Sequence, residues 1–234
     1  MRAPSAPAAV AAEVRDAARS HGALLILSDF DGTLAPIAPS PADARLAPPV
    51  RKVLSRLAGA PATGLAVISG RDLADLRARS ELPNAILAGC HGLVIEGPGL
   101  EFVHLQAAEC RQMLAGLATE LVERLGGLRG VEVEPKEYGV AVHYRRAYPS
   151  DLAEVFFQVE EARENYAPHL TTRPGKKVLE LVPNVPWNKG ECALWIRDRW
   201  ARQHSLDPTV VYIRDDETDE SALRAPRGKP NTVR

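Results

Sequence analysis

The chain has 234 residues, 45% hydrophobic and 25% charged. That is an ordinary globular mixture, and at roughly 100–200 residues per domain it makes one large or two small domains. Lys and Arg total 29 against 30 Asp and Glu, so a net charge of −1 calls for no nucleic-acid partner and no membrane. The cysteines, Cys90, Cys110 and Cys192, are odd in number and lack metal-type spacing, which reads as core thiols in a reducing cytoplasm.

The Ala-rich start, Met1 to Ser20, is interrupted by Glu13, Arg15 and Asp16, and no apolar stretch is long enough for a signal core or a membrane span. It reads as a tail followed by a short helix. Ala23 to Ser28 is an unbroken apolar run, as in a parallel strand covered on both faces. A proline-rich loop, a helix over Val50–Ala58, a strand over Gly64–Ile68, a helix over Asp72–Arg79 and a strand over Ala85–Ala88 follow. Strands alternating with helices predict an open, mostly parallel α/β sheet.

The middle changes character. Cys110, Leu114, Leu117, Leu121 and Leu125 form a helical stripe, followed by strands over Val131–Glu134 and Gly139–Arg145. A helix near Ser150–Tyr166, with Leu152, Val155, Phe156 and Val159 on its face, precedes strands near Leu170–Thr172 and Lys177–Val182. Helix–hairpin–helix–hairpin predicts an inserted α+β module with both helices on one side of a small antiparallel sheet. The parallel pattern resumes with a helix from Lys189 to about Gln203, a strand over Val210–Ile213 and a helix from Thr218. The expected division is a tail or helix over 1–20, a core over 21–100 and 186–234, and an inserted module over 101–185.

Chemistry concentrates at strand ends. Asp29-Phe30-Asp31-Gly32-Thr33 follows the first buried strand, where open α/β sheets hold their ligands. Two carboxylates there repel unless a cation lies between them, and an oxygen-rich site suits Mg²⁺. Gly32 permits a sharp turn that brings backbone N–H groups near an anion. Ser69-Gly70-Arg71 ends the next strand; the Ser69 hydroxyl can bond a phosphate oxygen or serve as a helix N-cap. Lys189 opens a helix, where the macrodipole disfavours a cation unless an anion is shared with it; a solvated lysine is the alternative. The acidic run Asp215-Asp216-Glu217-Thr218-Asp219-Glu220 is either a solvated face or the rest of a metal site.

In this order the motifs resemble the haloacid dehalogenase superfamily of phosphatases. The resemblance implies a Rossmannoid core with an inserted α+β cap. It also implies Asp29 as nucleophile, Asp31 as general acid/base, Ser69, Gly70 and Lys189 as phosphate-holding residues, and Asp29, Asp31, Asp215 and Asp216 as the Mg²⁺ site. Over nearly the whole chain the sequence is similar to the trehalose-6-phosphate phosphatase branch. The carrying stretches are Asp29 to Ile37, Ile68 to Arg71, Gly89-Cys90-His91-Gly92, Val140 to Arg145, Gly175 to Glu180 and Asp215 to Glu220. That branch implies hydrolysis of trehalose 6-phosphate through an aspartyl-phosphate, a sugar-phosphate partner, and a functional link to a trehalose-phosphate synthase.

The inserted module is then a lid closing over the sugar. In Ala141 to Arg145 a period of two puts His143 and Arg145 on one polar strand face, with Val140 and Val142 opposite. Lys136, Lys176 and Glu180 add groups able to bind sugar hydroxyls. Three departures stand out: Arg214 where the family usually has Gly, Val182 where it often has a basic residue, and an end at Arg234 that leads us to expect a short C-terminus. Alternatives are another sugar-phosphate phosphatase, of sucrose-phosphate or mannosylglycerate-phosphate type, and a non-catalytic sugar-phosphate-binding domain.

Overall fold

A computed structural model describes residues 7–38, 43–214 and 232–233. In chain order the elements are α1 (Pro7–His21), β1 (Leu24–Asp29), α2 (Pro48–Ala58), β2 (Thr63–Ile68), α3 (Leu73–Ser80) and β3 (Ile86–Gly89). Next come β4 (Val94–Gly97), β5 (Leu100–Val103), α4 (Leu105–Glu109), α5 (Arg111–Leu125), β6 (Glu132–Lys136) and β7 (Gly139–His143). The last are α6 (Leu152–Glu164), β8 (Leu170–Gly175), β9 (Val178–Pro183), α7 (Lys189–His204), β10 (Thr209–Ile213) and β11 (Thr232–Val233). They divide into two compact units, one of Met1–Phe102 with Trp187–Arg234, the other of Val103–Pro186.

The first unit holds a seven-stranded sheet in the order β11-β10-β1-β2-β3-β4-β5. β11, β10, β1, β2 and β3 run parallel, and β4 pairs antiparallel with β3. The fold is therefore the α/β class with a mostly parallel central sheet. Its apolar runs are covered on both faces, and the side chains alternate between them. Leu25, Leu27, Ala66, Ile68, Ile86 and Ala88 pack with Cys192, Ile196 and Trp200 of α7. Phe30, Leu65, Val67 and Leu87 pack with Leu54 of α2 and with Leu73 and Leu76 of α3. The sheet order changes direction at β1, which lies between β10 and β2. Such a switch point opens a crevice beyond the strand's carboxyl end, and Asp29 is the last residue of β1.

Two strands go beyond the sequence reading. β4 and β5 are four residues each, joined through Pro98-Gly99, and too short for their alternation to stand out. Gly99 sits at φ +70°, which glycine adopts freely. The N-terminal helix is also longer than expected, at 15 residues. The expected helix from Thr218 lies outside the described residues.

The second unit carries an antiparallel sheet in the order β6-β7-β9-β8. Val140, Val142, Leu170 and Leu181 face α5 and α6 in one core. The predicted stripe of α5 packs as read, since Cys110, Leu114, Leu117, Leu121 and Leu125 are all buried in that core. The face predicted for α6 needs correction. Val155, Val159 and Ala162 are buried, whereas Phe156 is 42% exposed and meets the Tyr144 ring edge-on. The buried positions are spaced by four and three, so the stripe runs through Ala162 rather than through Phe156.

Among the described residues, no helix is long and apolar enough to cross a membrane. All three cysteines are buried, and none is in a disulfide.

Candidate active site

Beyond Asp29 the chain turns tightly. The N–H groups of Leu34 and Ala35 both donate to the Phe30 carbonyl, and Gly32 N–H donates to Ala35 O across 2.8 Å. Gly32 takes φ +83°, which favours glycine. Phe30 is wholly buried and anchors the turn, leaving Asp29 and Asp31 on either side of it. Asp29 is only 8% exposed.

Each carboxylate meets a cation. Lys189 Nζ donates to Asp29 Oδ1 at 2.9 Å, with both side chains largely shielded from water. Asn188 explains the placement of that lysine. Its Oδ1 accepts from Gly190 N at 2.8 Å and Glu191 N at 3.2 Å, capping α7 and fixing Lys189 as the first helical residue. Asp31 is gripped by a two-pronged guanidinium. Arg71 Nε donates to Oδ2 at 2.8 Å and Arg71 Nη2 to Oδ1 at 2.6 Å.

Ser69 directly follows β2 in a fully enclosed position. Its N–H donates to Ala88 O and its carbonyl accepts from His91 N–H, each at 2.8 Å, while Oγ accepts from Arg71 N–H at 3.2 Å. The hydroxyl thus braces the turn that carries Arg71. The helix N-cap alternative fails because the cap position of α3 is Asp72. Gly70 is packed closely by the His91 ring: a Cβ there would lie 2.8 Å from Cε1 and 2.9 Å from Nε2. Cys90, His91 and Gly92 all take positive φ, at 51°, 58° and 90°, a bend that holds the imidazole against Gly70.

The structure therefore brings together Asp29, Asp31, Ser69, Gly70 and Lys189 within the first unit. Asp215 and Asp216 lie outside the described residues. Arg214, just before them, has its Nη1 enclosed with no acceptor among the described residues. The role of Arg71 went unread in the sequence. Asp75 four residues after Arg71, and Arg79 four after Asp75, signalled the helix-face ion pairs but not the contact with Asp31.

The other predicted residues sit in the second unit. Strand register sets Arg173 opposite Glu180, Glu180 opposite Ala141, and Ala141 opposite Glu134, on the face away from the helices. Lys136 Nζ donates to Glu180 Oε1 at 2.5 Å, and His143 Nε2 donates to Glu134 Oε2 at 2.7 Å. The His143 hydrogen bond, with Lys136 nearby, holds the Glu134 carboxyl below the usual glutamate range. Arg145 departs from expectation. β7 ends at His143, the chain turns with Ala147 N–H on Tyr144 O, and Arg145 Nη2 reaches the Lys176 carbonyl at 3.2 Å. Lys176 itself lies in the turn between β8 and β9. Val182 is buried, so no basic group stands at that position.

The family model described as trehalose-phosphatase matches residues 27–232. The chain belongs to that family. A trehalose-phosphate phosphatase of Mycobacterium tuberculosis (strain H37Rv) is 41% identical over 212 residues, which is 89% of this chain and 53% of that protein. This member of the trehalose-phosphatase family thus spans about half the length of the curated relatives it matches. Among solved structures, the C. albicans trehalose-6-phosphate phosphatase C-terminal domain superposes with a TM-score of 0.72 at 25% identity, covering 97% of this chain and 80% of that one. A trehalose-6-phosphate phosphatase related protein gives a TM-score of 0.74, covering 87% and 82%. At 21% identity the latter likeness concerns the fold alone. The same fold is shared with a haloacid dehalogenase-like hydrolase from Bacteroides thetaiotaomicron, at a TM-score of 0.57 and 14% identity, covering 86% of this chain and 85% of that one.

Proposed function

We propose that the protein hydrolyses trehalose 6-phosphate to trehalose and phosphate by way of a phosphoryl group held on Asp29. The observation that carries this reading is the buried pair of Asp29 and Lys189 at the sheet's switch point, with a second carboxylate two residues on. Asp29 Oδ attacks phosphorus as the bond to the sugar oxygen breaks, and Asp31 gives that oxygen its proton. Water then attacks the acyl phosphate, losing a proton to Asp31 and freeing Asp29. Splitting one displacement into two easier ones is the advantage of covalent catalysis. Lys189, Ser69 and the backbone at Gly70 hold the phosphoryl oxygens, so charge is met where it develops.

The oxygen donors of Asp29 and Asp31 suit Mg²⁺ in kind. Among the described residues no group of three or more acidic, His or Cys side chains forms a metal cluster. We assign the remaining acids to Asp215 and Asp216. A bound Mg²⁺ would offset charge on the transferred phosphoryl group.

Specificity for the sugar we assign to the second unit, residues 103–186, as a substrate lid. Lys136, His143, Arg145, Lys176 and Glu180 offer donors and acceptors for hydroxyls. A reducing cytoplasm suits three buried thiols that form no disulfide. A trehalose-phosphate synthase is the functional neighbour that would supply the substrate.

A panel of sugar phosphates, assayed with and without Mg²⁺, tests the reading. Trehalose 6-phosphate should be preferred over sucrose phosphate, a mannosylglycerate-type phosphate and glucose 6-phosphate. Equal turnover of trehalose 6-phosphate and glucose 6-phosphate would overturn the substrate assignment.

A further inference from the structure

Asp31 must place one proton twice, first on a leaving oxygen and then from a water, so its carboxyl needs a fixed plane. In a free aspartate the terminal torsion is broad. Here both carboxylate oxygens are taken by the Nε and Nη2 atoms of Arg71 at 2.8 and 2.6 Å. A planar fork on a planar carboxylate is the strongest orienting contact available to it.

Arg71 is itself held. Its remaining prong, Nη1, donates to Asp75 Oδ2 at 2.8 Å, and its guanidinium carbon lies 5.5 Å from the centre of the buried Phe30 ring. Asp75 is shared with Arg79, whose Nε contacts both carboxylate oxygens at 2.7 Å. Arg79 Nη1 reaches the Ala44 carbonyl at 3.5 Å. The chain Asp31–Arg71–Asp75–Arg79 therefore runs from the reacting centre down one face of α3 and onto the loop before α2.

We propose that Arg71 is the positioning residue for the Asp31 carboxyl, with Asp75 setting the angle of the guanidinium. The inference rests on the phosphatase reading above. When the Asp31 proton passes to the sugar oxygen, negative charge appears on Asp31. A fixed guanidinium meets that charge without reorganising, so the carboxylate left by the transfer is already oriented to take a proton from water. A residue acting this way affects turnover and leaves substrate affinity alone.

The test is steady-state hydrolysis of trehalose 6-phosphate with Mg²⁺, using Arg71→Gln, Arg71→Lys, Asp75→Asn, Asp31→Asn and the double variant Asp31→Asn/Arg71→Gln. Rates are normalised to folded protein by circular dichroism and corrected with an Asp29→Asn blank. Arg71→Gln should lower kcat by about 10²-fold, the lower end for general acid–base assistance, with KM unchanged. Asp75→Asn should give a smaller loss of the same kind, and Arg71→Lys should recover part of kcat but not all. On the Asp31→Asn background, Arg71→Gln should cost little more, because the group it positions is already gone. Independent, multiplying losses in the double variant would overturn the inference, as would a rise in KM at constant kcat. Wild type no faster than the Asp29→Asn blank would instead refute the phosphatase reading itself, so the two failures are distinguishable.

Discussion

Lys189 and Asp29 are 160 positions apart in the chain, yet Nζ of one lies 2.9 Å from Oδ1 of the other. β1 ends at Asp29 and α7 begins at Lys189, so the pair joins the carboxyl end of a central strand to the first turn of the helix that covers it. Removing one partner takes a charge-assisted hydrogen bond away from an enclosed charge.

Lys189→Met should therefore destabilise the fold by about 1.5–3 kcal/mol, the range for losing a hydrogen bond to a charged group. Adding Asp29→Asn should restore part of that loss, because the enclosed charge that Lys189 balanced is then removed as well. Urea unfolding of the two single variants and the double variant measures both effects. In turnover, Lys189→Met should lose about 10²–10³-fold in kcat, as when an electrostatic donor is removed.

Gly70→Ala would set a methyl group against the His91 ring, with Cε1 at 2.8 Å. Overpacking of this sort should cost about 1–3 kcal/mol. Adding His91→Gly, which tolerates the local φ of 58°, should relieve the clash, so the double variant loses less than the two single losses combined. Thermal melts of the three proteins check this.

Glu134 titrates below its ordinary value of 4.5, chiefly because His143 hydrogen-bonds its carboxylate. A folded value below the unfolded one means the pair stabilises fully above the unfolded value. That contribution fades as pH falls through the folded value. His143→Ala should move the Glu134 titration back up toward 4.5 and flatten the acid-side loss of stability in this unit. Carboxyl-carbon NMR titration of Glu134 reads the shift directly, and an unmoved midpoint would contradict it.

Leu117 is 0% exposed in the core shared by α5, α6 and the antiparallel sheet. Leu117→Ala should cost about 2–5 kcal/mol. Chemical denaturation followed by circular dichroism measures it.

The order of strands and helices was legible because buried parallel strands read as short apolar runs. Leu25 and Leu27 on one face with Ile26 and Phe30 on the other show why such a run has no polar side. β4 and β5 were not legible, since four-residue strands barely express a period of two. The α6 stripe was misplaced by one residue because Phe156 is apolar yet exposed, and hydrophobicity alone does not say which way a side chain faces. At the site, residue types and strand ends pointed to Asp29, Asp31, Ser69 and Lys189. Their partners were harder to see. Arg71 reaches Asp31 across 40 positions, and a contact of that range leaves no local periodic trace. Asn188 could have been read as a helix cap from its place before Lys189, which would have fixed that lysine's direction.

In the proposed reaction Asp29 carries the phosphoryl group. Rapid acid quench of wild-type protein turning over trehalose 6-phosphate with Mg²⁺, followed by peptide mass spectrometry, tests it most directly. A phosphate-sized mass gain on the Asp29 side chain, absent in Asp29→Asn, is the expected result. Steady phosphate release with no labelled Asp29, or with the Asp29→Asn variant as fast as wild type, would contradict it.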